Sequence, residues 1–159
     1  MQNKNSEKNV PAGVVIYSDG SALGNPGPGG YGTVIEINGE QICLKGGEPH
    51  TTNNRMEMLA VVEGLKWLHK NHPDVKTCTV VSDSKLVIET LNSGWKRKKN
   101  LDIWELLDAQ LPHFSKIKWQ WVKGHNGHPQ NTLCDKLANG EATRYKKIGG
   151  HEFTPQSIL

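Results

Sequence analysis

The spacing of apolar residues changes from a period of two to a period near 3.6 about a third of the way along the chain. Residues 14–17, VVIY, form a β-branched and aromatic run that is expected to end as a strand at Asp19-Gly20-Ser21. The glycine- and proline-rich stretch 24–30, GNPGPGG, is expected to be neither helix nor central strand. Two further strand-like runs, 31–37 and 40–45, flank Asn38-Gly39, a dipeptide suited to a tight hairpin, so the chain opens as an antiparallel meander. Over residues 54–70, Met58, Val61, Val62, Leu65 and Leu68 fall on one helical face, and Pro73 closes the helix. A buried strand is expected at 77–82, helices at 85–91 and 101–111 with a polar stretch between them, a strand at 117–122 and a last helix at 132–145. This order predicts an α/β fold with a mixed sheet. Residues 1–13 are read as a disordered tail, and the polar segment 146–159, with Gly149-Gly150 and Pro155, as a flexible one, leaving one folded unit over 14–145.

The 159-residue length suits one domain with a single core. Hydrophobic residues at 35% and charged residues at 22% are ordinary for a soluble protein, and no apolar run approaches the roughly 18 residues of a membrane span. The opening MQNKNSEKNVPAG lacks the apolar core of an export signal, so a cytoplasmic location is expected. Cys43, Cys78 and Cys134 are an odd set without a CxxC pair, read as buried free thiols. A net charge of +3 is compatible with a polyanionic partner but too small to require one.

The candidate chemistry lies in acids. Asp19 and Asp83 end apolar runs in similar strings, IYSDGS and VVSDSK, so two strand-end carboxylates can converge; the plainer alternative is a pair of turn-starting aspartates. Glu57 shares its helical arc with Val61, Gly64 and Leu68, where a charge needs a reason. Asp135 precedes Ala138 and Ala142 at helical spacing, on a face small enough to pack on a sheet. Acids meeting at one edge would repel one another unless cations neutralised them, and hard oxygen donors suit Mg²⁺ or Mn²⁺. His125, His128 and Cys134 raise a zinc site, but no further cysteine completes it.

Four strings, DGSALGNPGPGGYG, TTNNRMEMLA, VSDSKLV and WVKGHNGHPQNTLCDKLAN, occur in the order found in type 1 ribonucleases H, and the chain resembles that family over residues 14–145. The resemblance implies a five-stranded mixed sheet flanked by helices, an antiparallel meander followed by parallel strands. It implies an endonuclease that cuts the RNA strand of an RNA/DNA hybrid with two Mg²⁺ ions, leaving 5′-phosphate and 3′-hydroxyl ends, and it favours a monomer. The family carboxylates fall on Asp19, Glu57, Asp83 and Asp135: Asp19 shared by both ions, Asp135 on the water-side ion, Glu57 and Asp83 on the other. His125 matches the histidine that assists proton transfer or product departure. Substrate contacts carry over to Asn25, Thr52, Asn53, Asn54, Ser84 and Asn131, short polar side chains suited to phosphates and 2′-hydroxyls.

Two positions depart from the family pattern. Many bacterial members insert a basic helix where this chain has only WKRKK, so Lys96, Arg97, Lys98 and Lys99 are either a remnant DNA-strand contact or a solvated charge run. Lys85 stands where a glutamine commonly follows the Asp-Ser pair. Trp104, Trp119 and Trp121 are expected in the core, and Trp95, beside the basic run, is the tryptophan placed to meet nucleic acid. Two rivals remain: a noncatalytic hybrid-binding module, against which all four acids and His125 speak, and an integrase or transposase core, which needs DNA-binding domains not found in this sequence.

Overall fold

The computed structural model describes residues 13–124 and 128–152. Strands β1 (Val15–Ala22), β2 (Gly27–Ile37), β3 (Glu40–Thr51), β4 (Thr77–Ser82) and β5 (Lys116–Trp121) form one sheet in the order β3-β2-β1-β4-β5. The first three pair antiparallel, whereas β4 runs parallel to β1 and β5 parallel to β4. The helices are α1 (Asn53–Asn71), α2 (Lys85–Ser93), α3 (Leu101–Gln110) and α4 (Pro129–Glu152), and a 3₁₀ turn at Leu111–His113 follows α3.

Alternation along the strands sorts the helices onto two faces. Ile16, Ile35 and Val80 point to one side, where Val61, Leu65 and Leu68 of α1, Val87 of α2, and Ile103 and Leu107 of α3 close the larger core. Their neighbours Val15, Tyr17, Val34 and Val81 point to the other, against Leu133, Cys134 and Leu137 of α4. Burying a side chain of this size stabilises the fold by about 1.5–3 kcal/mol, so both faces of the central strands must be covered. The hairpin turn has φ of 52° at Asn38 and 80° at Gly39, the two positive values that a twist-matched two-residue loop requires.

Several expectations are corrected. β1 does not stop at Asp19 but runs to Ala22, and Gly27 to Gly30 lie in β2, an interior strand paired on both sides. Glycine is tolerated there because α4 rests its backbone directly on β2. A Cβ at Gly30 would lie 2.3 Å from the Ala138 carbonyl oxygen, and one at Gly32 would lie 2.4 Å from that of Cys134. Helix α4 continues to Glu152, into the stretch expected as a loose tail. Tyr145 anchors it by packing against Gly47, and the helix runs on through Gly149-Gly150 although each glycine costs about 1 kcal/mol relative to alanine. Cys78 and Cys134 are buried, but Cys43 is exposed because β3 is an edge strand. Trp121 is 43% exposed for the same reason on β5, whereas Trp104 is buried and Trp119 packs against the larger core.

Candidate active site

Strand register brings the first two acids together. β1 and β4 pair in parallel with Ser18 opposite Ser82, so Asp19, inside β1, and Asp83, just past the end of β4, follow side by side. Asp83 leaves β4 directly for α2, and its backbone is held on both sides. The Ser84 amide donates to Ser82 Oγ at 3.0 Å, and the Trp121 indole N–H donates to the Asp83 carbonyl at 3.1 Å. Ser84 caps α2 by accepting from the Val87 amide at 3.3 Å.

Glu57 arrives from α1 because Gly20 leaves room for it. A Cβ on Gly20 would lie 2.3 Å from the Glu57 amide nitrogen, so any side chain there would push the helix off the strand. As a result, carboxylate oxygens of Asp19, Glu57 and Asp83 lie within 4.8 Å of one another. Asp135, on α4, stands outside that trio, and its charge acts on both Asp19 and Glu57.

Burial and mutual repulsion dominate the electrostatics. Burial first, then the charge of Asp83, pushes the Asp19 carboxyl up to about 8, although the Gly20 amide donates to it at 2.8 Å and works the other way. Burial, with Asp83 and Asp19 beside it, raises Glu57 well above the usual carboxylate range. Glu57 Oε2 and Asp83 Oδ1 are buried and find no hydrogen-bond donor among the described residues. Crowded carboxylates with orphaned oxygens are costly without a counter-charge, and an all-oxygen set fits a hard divalent cation. Of the zinc alternative, Cys134 is fully buried in the smaller core and His125 lies outside the described residues.

The short polar residues expected to touch substrate are gathered largely by hydrogen bonds of their own. Asn25 Oδ1 accepts from the Asn53 amide at 3.1 Å, and Asn53 Oδ1 accepts from the Ala22 amide at 2.7 Å, which ties the β1–β2 connection to the start of α1. Thr52 caps α1 by accepting from the Arg55 amide at 3.2 Å. Asn54 is exposed and lines a cleft with Lys96, Lys98 and Lys99. Asn131 is buried, and its Oδ1 accepts from the His128 amide at 3.2 Å. His125 lies outside the described residues.

The basic run divides. Arg97 is half-buried, with Nη1 2.6 Å from the exposed Asp108 and the guanidinium 4.4 Å from the centre of the Trp104 ring, while Lys96, Lys98 and Lys99 are exposed, and all four line one cleft. Trp95 is 47% exposed beside them. Lys85 extends over the Trp121 ring, 5.7 Å from its centre.

Two arrangements were not anticipated. Arg55 makes a paired contact with Asp102, at 3.0 and 2.8 Å, and reaches Asn100 at 3.3 Å, fastening the start of α1 to the start of α3. Nothing in the local sequence marks a partner so distant. Asn139 donates to Asp135 at 3.2 Å, and its position one helical turn beyond that acid was a readable signal.

The ribonuclease H family model matches residues 11–143. A ribonuclease H of Sulfurovum sp. (strain NBC37-1) is 46% identical, the match covering 88% of this chain and 97% of that one. A ribonuclease H of Escherichia coli O139:H28 is 44% identical over 81% of this chain and 88% of its own. Among solved structures, the N-terminal RNase H domain of a Mycobacterium tuberculosis protein superposes with a TM-score of 0.76 at 31% identity, covering 86% of this chain and 97% of that domain. LC11-RNase H1, solved in complex with an RNA/DNA hybrid, has the same fold, with a TM-score of 0.67 at 24% identity over 82% of this chain and 97% of that one. The chain belongs to the ribonuclease H family.

Proposed function

We propose that this protein is an endonuclease that hydrolyses the RNA strand of RNA/DNA hybrids with two divalent cations, Mg²⁺ or Mn²⁺, acting as a monomer in the cytoplasm. The observation that carries the reading is the trio Asp19, Glu57 and Asp83, with carboxylate oxygens within 4.8 Å of one another. Together with Asp135 they would hold the cations. Cations bound there would supply a nucleophile at neutral pH and would offset charge on the phosphate and on the leaving oxygen. Water adds to phosphorus and the bond to the 3′ oxygen breaks, so the products carry 5′-phosphate and 3′-hydroxyl ends.

The protein's own groups position and discriminate. Asn25, Thr52, Asn53, Asn54, Ser84 and Asn131 contact phosphates, 2′-hydroxyls and base edges, reading the shape of the hybrid with slight sequence preference. His125 serves proton transfer or product departure, a task suited to an imidazole whose ordinary pKa is about 6.5. Lys96, Arg97, Lys98 and Lys99 meet the DNA strand, Arg97 being held at the same time by Asp108 and the Trp104 ring.

The test is one labelled oligonucleotide presented as RNA/DNA, RNA/RNA and DNA/DNA duplexes, each with Mg²⁺ and with EDTA. Metal-dependent cutting of RNA in the hybrid alone is expected. Binding without cutting would make the protein a hybrid-binding module, and cutting of DNA would favour the integrase reading.

A further inference from the structure

We infer that Asn139, tethered by Ser21, is a positioning residue that fixes the carboxylate of Asp135 against the other acids; this rests on the metal-binding reading above. Asp135 differs from the other acids in how it is placed. Asp19 and Asp83 are set by strand register, and Glu57 is set by the close approach of α1 at Gly20. Asp135 belongs to a helix that packs on the sheet through Cys134 and Ala138, so its own side chain needs a separate hold.

The structure supplies one from both sides. Asn139 Nδ2 donates to Asp135 Oδ1 at 3.2 Å, and Ser21 Oγ donates to Asn139 Oδ1 at 2.7 Å. Ser21 lies two residues beyond Asp19 on the same strand. The chain from Ser21 through Asn139 to Asp135 therefore links the strand that carries one acid to the helix that carries another. Its polarity is fixed by chemistry. A carboxylate only accepts, so the amide must turn its NH₂ towards Asp135, and its oxygen is left facing the Ser21 hydroxyl. An aspartate hydrogen-bonded in this way keeps a single orientation before a cation arrives, which lowers the ordering cost of binding.

Asn139 also borders a groove on the outer face of α4 with Asp135, Lys136 and Thr132, so direct contact with substrate is the competing role. The two roles separate by measurement. In the full chain, Asn139→Ala should weaken Mn²⁺ binding measured by calorimetry about ten-fold, and Ser21→Ala about three-fold. The double variant should be no worse than Asn139→Ala alone, because both act through one bridge. The Michaelis constant for a hybrid at saturating Mn²⁺ should stay within about two-fold. Asn139 is exposed, so its variant should keep the wild-type melting temperature without metal.

Unchanged Mn²⁺ affinity in Asn139→Ala would overturn the inference, and a raised Michaelis constant with it would assign Asn139 to the substrate instead. Additive losses in the double variant would also overturn it, since two independent sites would then be involved. Failure of the functional reading looks different: the wild-type chain would take up Mn²⁺ without cutting a hybrid, and the effect of Asn139 on affinity would stand.

Discussion

The carboxylate edge and the lysine loop are both charged, yet they are built on opposite terms. Around Asp19 the acids are held by paired strands, a glycine contact and hydrogen bonds, and Asp19 itself is buried. Around Lys96, Lys98 and Lys99 the chain is exposed and is pinned through Arg97 alone of the four basic residues, by its contacts with Asp108 and Trp104. Buried charges in register can act on single atoms, whereas solvated ones supply a field that falls off within about 10 Å at 0.1 M salt. Precision is expected from the first region and affinity from the second.

The hardest test of that contrast is Asp19→Asn. Losing a cation that stabilises charge by several kcal/mol should lower the cleavage rate by roughly 10³-fold or more, with hybrid binding still measurable by anisotropy. Normal turnover would erase the distinction between the regions.

The same variant should change stability in the absence of metal, and the sign follows from the shifted carboxyl. Asp19 titrates near 8 in the folded chain against an ordinary 3.8, so between those values the folded state holds a proton that the unfolded state has released. Stability contributed by this group therefore declines as pH rises from about 4 to 8. In EDTA, Asp19→Asn should be more stable than wild type at pH 8 by a few kcal/mol, at about 1.4 kcal/mol per pKa unit, and the gap should narrow at pH 5. Glu57 is shifted in the same direction, so the variant keeps part of the slope. Urea unfolding curves with identical pH slopes would mean that the acids do not strain the fold.

Gly20→Ala probes the packing that brings α1 to the edge. Its methyl would meet the Glu57 amide nitrogen and Met56 backbone, and a cost of about 1–3 kcal/mol in the denaturation midpoint is expected, with a loss of activity as Glu57 withdraws. Wild-type stability and turnover together would show that the close approach is not needed.

The smallest effects belong to the lysine loop. Replacing Lys96, Lys98 and Lys99 with alanine should raise the Michaelis constant up to about ten-fold and flatten its salt dependence, with little change in turnover rate. Arg97→Ala should instead reduce stability by about 1 kcal/mol, in keeping with one exposed ion pair and one cation–π contact. A lysine variant that lost turnover rather than affinity would place the loop in the chemistry.

Much of the fold was legible because period and turn chemistry are local. The strand at 77–82, the Asn38-Gly39 hairpin and the α1 face of Val61, Leu65 and Leu68 all follow from residues within a few positions of one another. The four acids were legible too, since a charge on an apolar arc or at the end of an apolar run is anomalous wherever it occurs. The glycine run was misread for the converse reason. Glycine marks a loop by its own propensity, and only the Ala138 and Cys134 backbone of α4, more than a hundred residues away, makes its missing side chain a condition of an interior strand. Cys43 and Trp121 were misjudged because apolar alternation does not say which strands lie at the edges.

The residue pattern by itself determined which acids stand out, the order of helices and strands, and the family to which the chain belongs. Only the tertiary structure decided that Ser18 faces Ser82, that Gly20 admits Glu57, that Arg97 pairs with Asp108 and that Asn139 reaches Asp135. The physical reason is range. Propensity and periodicity act over a few residues, whereas register, burial and the pairing of distant polar groups are settled only when segments far apart in the chain exclude water together.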